Sequence, residues 1–203
     1  MLRFLISALV GLSFLLPGGA AAQRAAPHQS IESATLAGVD LCYNAFANVV
    51  DPSGPRMLNQ LYEASGWHAI EAEPARFPFE DVGNNFGAAD LAPGMSGRVL
   101  SALGSGAITG GARCDIVLLS APGARDLLLQ ELESSSTWTE LQIPNIPNTR
   151  MFGRRVGSPA ADIGLTIMWG VTDADGHDLE AYLSFLLIPK SSITTGMFLP
   201  DGY

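Results

Sequence analysis

The chain predicts an α+β fold: an antiparallel sheet of about four to six strands, with two or three helices packed on one face and one disulfide. Three observations predict it. Near the C-terminus, Gly164 to Thr172 and Leu179 to Ile188 are β-rich runs separated by Asp173-Ala174-Asp175-Gly176-His177, the pattern of an antiparallel hairpin. Further upstream, Leu36, Val39, Cys42, Phe46 and Val49 recur at three- and four-residue steps, the signature of an amphipathic helix. Finally, 47% of the residues are hydrophobic and 15% charged, a balance that builds a core and argues against general disorder.

The elements follow in order. The first helix is predicted over about Glu32 to Val49, with Cys42 on its buried stripe, and Asp51-Pro52-Ser53-Gly54-Pro55 breaks it. A second helix carries Leu58, Leu61 and Tyr62 on one side and stops at Gly66. Residues 67 to 97, rich in Pro, Gly, Asn and acidic side chains, read as irregular. Arg98 to Leu103 is a short strand, and Cys114 to Leu119 a clear one. Ala121-Pro122-Gly123 leads into a third helix through Leu127, Leu128, Glu131 and Leu132. Met151 to Val156 is a further strand. In the C-terminal hairpin the first run is apolar on both faces, which places it centrally under the helices.

The intervals from Cys42 to Trp67 and from Cys114 to Trp138 are 25 and 24 positions, each containing a leucine-rich segment. The residues after Cys42 read as helix and those after Cys114 as strand, so we read this echo as coincidence.

The first 22 residues have the form of an export signal: Arg3 in a positive n-region, an apolar run from Phe4 to Leu16, a Pro17-Gly18-Gly19 break and a small-residue cut site, Ala20-Ala21-Ala22. The apolar run is about 13 residues, short of the roughly 20 that span a bilayer as a helix. Cleavage near Ala22 would leave a flexible lead over 23–30 and a single α+β domain over 31–203, with no membrane span. The localisation expected is periplasmic or secreted. The formal charge of −9 becomes −10 once Arg3 leaves with the signal, which argues against nucleic acid as a partner.

Export also decides how Cys42 and Cys114 are read. Two cysteines in an exported chain are most simply one disulfide. The competing readings are a buried free pair and a redox or metal pair; no CxxC spacing supports redox catalysis, and two distant thiols without a convincing His partner make a poor zinc site.

Each candidate for chemistry has a plainer competitor. There is no GxSxG elbow, and the only lysine, Lys190, is not part of an SxxK pair. Asp173 to Asp178 with Glu180 offers alternating oxygen ligands like a calcium loop, yet Gly176 is in the fourth position and not the sixth; a solvated acidic hairpin tip is the preferred reading. The glycines from Gly104 to Gly111 lead into a strand and not a helix, so they make a turn rather than a phosphate cradle. Trp67 and His68, with Glu71 and Glu73 close by, combine an aromatic and titratable groups on an irregular segment. They are the first place expected for a ligand cleft. No catalytic, metal-ligating or cofactor-binding residue is assigned, and no cofactor is expected.

A helical Cys42, the Gly66-Trp67 pair after the next helix and a strand-borne Cys114 together resemble small exported proteobacterial proteins of unknown function, over about residues 36 to 132. The resemblance implies export and a disulfide, and it transfers no activity and no catalytic residue. The expected function is that of a non-enzymatic exported binding or accessory protein, whose partner is an envelope component or another exported protein. The alternative is a hydrolase that uses His68 or His177 with carboxylates in a cleft.

Overall fold

Strand alternation and helix periodicity build two layers. The computed structural model describes residues 25–47, 55–79, 83–105, 112–141, 146–154 and 161–189. Its helices are α1 (Ile31–Ala47), α2 (Pro55–Ala64) and α3 (Ala124–Ser134), and a single 3-10 turn covers Pro74–Arg76. Its strands are β1 (Trp67–Ala69), β2 (Asn85–Ala89), β3 (Arg98–Ser105), β4 (Ala112–Leu119), β5 (Thr139–Leu141), β6 (Thr149–Arg154), β7 (Ala161–Met168) and β8 (Ala181–Pro189). All eight form one antiparallel sheet in the order β1-β2-β3-β4-β8-β7-β6-β5. The export segment 1–22 with its cut site, Lys190 and most of the Gly104–Gly111 turn lie outside the described residues.

Side chains of successive strand residues point to opposite faces, and the register sorts them cleanly. Leu103, Cys114, Phe185 and Leu165 lie across from one another on neighbouring strands, on the face that packs against α1, α2 and α3. Ala34, Leu41, Tyr62, Leu128 and Leu132 of the helices join this core. The Cys42–Cys114 disulfide ties α1 to β4, with the two Cα atoms 5.6 Å apart. The other face carries a smaller cluster of Phe86, Leu100, Ala102, Val117 and Tyr182, covered by Phe77 from the 3-10 segment and Leu179 from the β7–β8 connection.

The sheet is larger than the four to six strands expected from sequence, because β1, β2 and β5 have too few residues to show a period. In β2 the helix-facing position is Gly87, where a Cβ would lie 2.5 Å from Cε1 of Tyr62. A residue chosen for its lack of a side chain gives no strand signal. The strand order divides the domain into helices followed by β1–β4 and a helix followed by β5–β8, joined where β4 pairs with β8. Trp67 opens one outer strand and Trp138 immediately precedes the other; the cysteines do not correspond, one being helical and one in a strand.

Residues 25–30, read from sequence as a lead, are tied to the domain. Ala25 N–H donates to the Glu63 carbonyl, His28 N–H to that of Asp90, and Ala92 N–H to that of His28. His28 Nε2 lies 2.9 Å from the Ser65 carbonyl oxygen.

Gly38 lets α1 lie close against the sheet. A Cβ there would sit 2.8 Å from Cζ2 of Trp67 and 2.9 Å from Cδ1 of Ile116. Gly38→Ala is expected to destabilise the domain by about 1–3 kcal/mol through overpacking, although alanine favours a helix interior by about 1 kcal/mol. Urea unfolding checks this; a stabilised variant would show that helix propensity dominates.

Candidate functional site

One end of the sheet gathers the polar groups. There β3 begins at Arg98, opposite Leu119 at the end of β4, and the β7–β8 connection passes beside the 3-10 turn. A cleft of about 420 Å³ opens between them, lined by Arg76, Gly97, Arg98, Leu119, Ser120, Asp173, His177 and Asp178.

The acidic hairpin tip is folded around Asp173. Its side chain is fully buried, and its Oδ1 accepts the N–H groups of Asp175 at 3.0 Å and His177 at 2.8 Å. This is the local side-chain-to-backbone bonding that makes Asp a turn former, and Gly176 supplies the left-handed residue, at φ +86°. The tip is also tied across the cleft. Ala174 N–H donates to the Ala75 carbonyl, and Arg76 Nη1 donates to Asp173 Oδ2 at 3.2 Å. His177 Nδ1 lies 3.2 Å from both Asp173 oxygens and 3.4 Å from Arg76 Nη1. Beside it, Arg98 grips Glu73 with two bonds, of 3.0 and 2.7 Å, the bidentate geometry that suits a guanidinium and a carboxylate.

These contacts set the ionisation. Burial works against the charged form of Asp173, but the bonds from His177 and Arg76 outweigh it and hold the carboxyl below its ordinary range. Glu73 is lowered by its bonds to Arg98, against a smaller effect of burial. The folded Asp173 titrates below the ordinary value of 3.8, so near that pH the unfolded chain binds more protons and stability rises with pH. Asp173→Asn is therefore expected to cost about 1–3 kcal/mol at neutral pH. The wild-type advantage is full above the ordinary aspartate range and shrinks as pH falls through the depressed folded value. Urea unfolding of both proteins between about pH 7 and about pH 3 measures it; a pH-independent gap would contradict the ionised hydrogen-bonded carboxylate.

Asp173, Asp175 and His177 also form the trio whose ligand atoms lie within 4.8 Å of one another. Arg76 Nη1 already stands against all three, at 3.2, 3.8 and 3.4 Å. A metal ion would have to displace that internal cation, and we assign none.

Ser120 is the other unusual residue of the cleft. It joins β4 to the loop before α3, is exposed, and has φ +50°; the only other non-glycine residue with positive φ among those described is Asn148. Gly97 lies against it, and a Cβ on Gly97 would fall 2.7 Å from the Ser120 carbonyl oxygen.

The structure separates the two residues first expected to share a ligand cleft. Trp67 and His68 are consecutive in β1 and so face opposite sides of the sheet. Trp67 is fully buried in the helix-side core, while His68 is exposed, with Nδ1 2.7 Å from Asp90 Oδ1. Of the neighbouring acids, Glu73 reaches the cleft through Arg98. His177 does line it. Arg76, Arg98 and Ser120 escaped sequence reasoning because they stand in three separate segments with no shared spacing.

A second polar centre lies under the opposite face. Fully buried Asp115 accepts Tyr182 Oη–H at 2.6 Å and Arg113 Nε–H at 2.5 Å, and Arg113 Nη2 donates to the same hydroxyl at 3.1 Å. Burial raises the Asp115 carboxyl above its usual range, against the opposing bonds from Tyr182 and Arg113. Phe79 packs edge-on to Tyr182, with ring centres 5.3 Å apart. This network is a structural brace.

Among the described residues no helix is long and apolar enough to cross a membrane. No protein-family model, no curated protein and no solved structure matches the chain.

Proposed function

We propose that the protein is an exported binding or accessory protein, periplasmic or secreted, whose ligand site is the cleft between Arg76, Arg98, Ser120 and His177. The observation that carries this reading is the preformed polar wall of that cleft, in which Asp173, Arg76 and His177 hold one another by hydrogen bonds. Binding sites gain from side chains ordered before the ligand arrives. The disulfide agrees with an oxidising compartment, as does the resemblance to small exported proteobacterial proteins.

The charge of the site points to the ligand class. Two arginines, Arg76 and Arg98, stand among four carboxylates, Glu73, Asp173, Asp175 and Asp178, which leaves a surplus of negative charge. Both guanidinium groups are already paired, Arg76 with Asp173 and Asp175 and Arg98 with Glu73, so the carboxylate of the cleft wall outside those pairs is that of Asp178, with the exposed edge of His177 beside it. A ligand presenting an amine or guanidinium group, free or on another exported protein, fits that surplus.

The test titrates spermidine and, separately, inorganic phosphate into the protein and follows backbone amide resonances. Spermidine is expected to shift Gly97, Ser120 and Asp178, and Asp178→Asn to weaken that response several-fold. Shifts only with phosphate, or none in the cleft, would refute the proposal.

A further inference from the structure

We propose that the same cleft carries an acyl-transfer site, with Ser120 as nucleophile, His177 as general base and Asp173 as the residue that orients the base. The inference rests on the cleft being the ligand site and adds a reaction to it.

Three observations support it. Ser120 is exposed at the cleft in a sharp strand-to-loop turn, with a backbone conformation that serine seldom adopts. Such conformations persist where the surroundings impose them, and here the close approach of Gly97 leaves no room for a Cβ. His177 Nδ1 lies against both oxygens of Asp173, and Asp173 is buried and locked by two backbone N–H groups and Arg76. A base oriented by a buried acid is the arrangement that activates a hydroxyl. His177 Nδ1 faces Asp173 and also Arg76 Nη1, at 3.4 Å; the tautomer required has the proton on Nδ1, toward Asp173, and Nε2 free to accept one. Arg76, although paired with Asp173, lines the same cleft and is the cation assigned to the oxyanion.

The reaction balances on these groups with an ester and water. Ser120 Oγ bonds to the carbonyl carbon while its proton passes to His177 Nε2, and the carbonyl π pair moves onto oxygen beside Arg76. Collapse of that intermediate breaks the bond to the leaving alcohol, which takes the proton from His177. Water then attacks the acyl-serine and loses its proton to His177; collapse breaks the bond to Ser120 Oγ, which takes that proton back from His177 as the acid leaves. Ser120 and His177 line the cleft without a direct hydrogen bond, so their approach belongs to substrate binding.

The experiment uses the full chain with p-nitrophenyl acetate, and a fluorophosphonate probe whose attachment is located by mass spectrometry. Hydrolysis above buffer and labelling at Ser120 are expected. Ser120→Gly is expected to lower turnover by about a hundredfold or more, with its melting temperature held or raised because glycine suits the positive φ. His177→Gln is expected to lose turnover to a similar degree. No label at Ser120, or wild-type turnover in Ser120→Gly, would overturn the proposal. Cleft shifts with spermidine but no turnover would overturn the acyl-transfer site and leave the binding reading standing. Turnover at Ser120 without any spermidine response would do the reverse.

Discussion

Replacing both disulfide cysteines, Cys42→Ala with Cys114→Ala, is expected to lower unfolding stability by about 4 kcal/mol. The bridge closes a loop spanning 72 positions, so it removes many conformations from the unfolded chain. Both cysteines are also fully buried in the helix-side core, and shrinking each to alanine adds a small packing loss. With typical domains stable by only about 5–15 kcal/mol, this is a large share of the total. Urea unfolding of the wild type with and without reductant, beside the double variant, separates the two contributions. The reduced wild type should lose most of the 4 kcal/mol, and the double variant slightly more. A loss under about 1 kcal/mol on reduction would mean that the bridge constrains little that the core does not already hold.

Asp115→Ala is expected to cost about 3 kcal/mol, since it removes the buried carboxylate that accepts from both Arg113 and the Tyr182 hydroxyl under the sheet. The value sits at the low end for a broken buried pair because the Arg113 side chain keeps 18% of its surface exposed and can turn toward water. Removing both charges, as Arg113→Leu with Asp115→Leu, should cost less than Asp115→Ala alone, because no buried charge is then stranded. The sign with pH is opposite to that of Asp173. Burial raises the folded Asp115 carboxyl, so the neutral form is favoured in the fold; its contribution is fully present below the unfolded value and declines as pH rises through the folded one. Equal stability of Asp115→Ala and wild type would show that the network is ornamental.

Several elements were legible before any coordinates. The periods of three and four from Leu36 to Phe46 match α1, with Val49 outside the described residues, and the alternation from Ala181 to Leu187 matches β8 and its pairing with β7. The disulfide followed from an export signal and a cysteine count, and Cys42 and Cys114 are joined. The outer strands β1, β2 and β5 were not legible. They span three to five residues and exist because neighbours pair with them, a cause that lies outside their own sequence.

The site followed the same division. His177 was named as a possible base, and Trp67 and His68 were placed together because they are adjacent in the chain. A strand sends adjacent residues to opposite faces, so adjacency there separates side chains. Arg76, Arg98 and Ser120 lie in segments with no common motif, and they meet because the β3–β4 and β7–β8 pairings finish at the same end of the sheet.

By itself, then, the sequence determined the class of fold, the helix that carries Cys42, the C-terminal hairpin and the reading of the cysteine pair. These are local periodicities and compositional facts that a linear chain displays directly. Only the tertiary structure decided that the sheet has eight strands, that Trp67 is core, and that Asp173 is clasped by Arg76 and not left as a solvated loop acid. Those outcomes depend on contacts between residues 97 positions apart, which arise from chain closure and burial and leave no imprint on either segment alone.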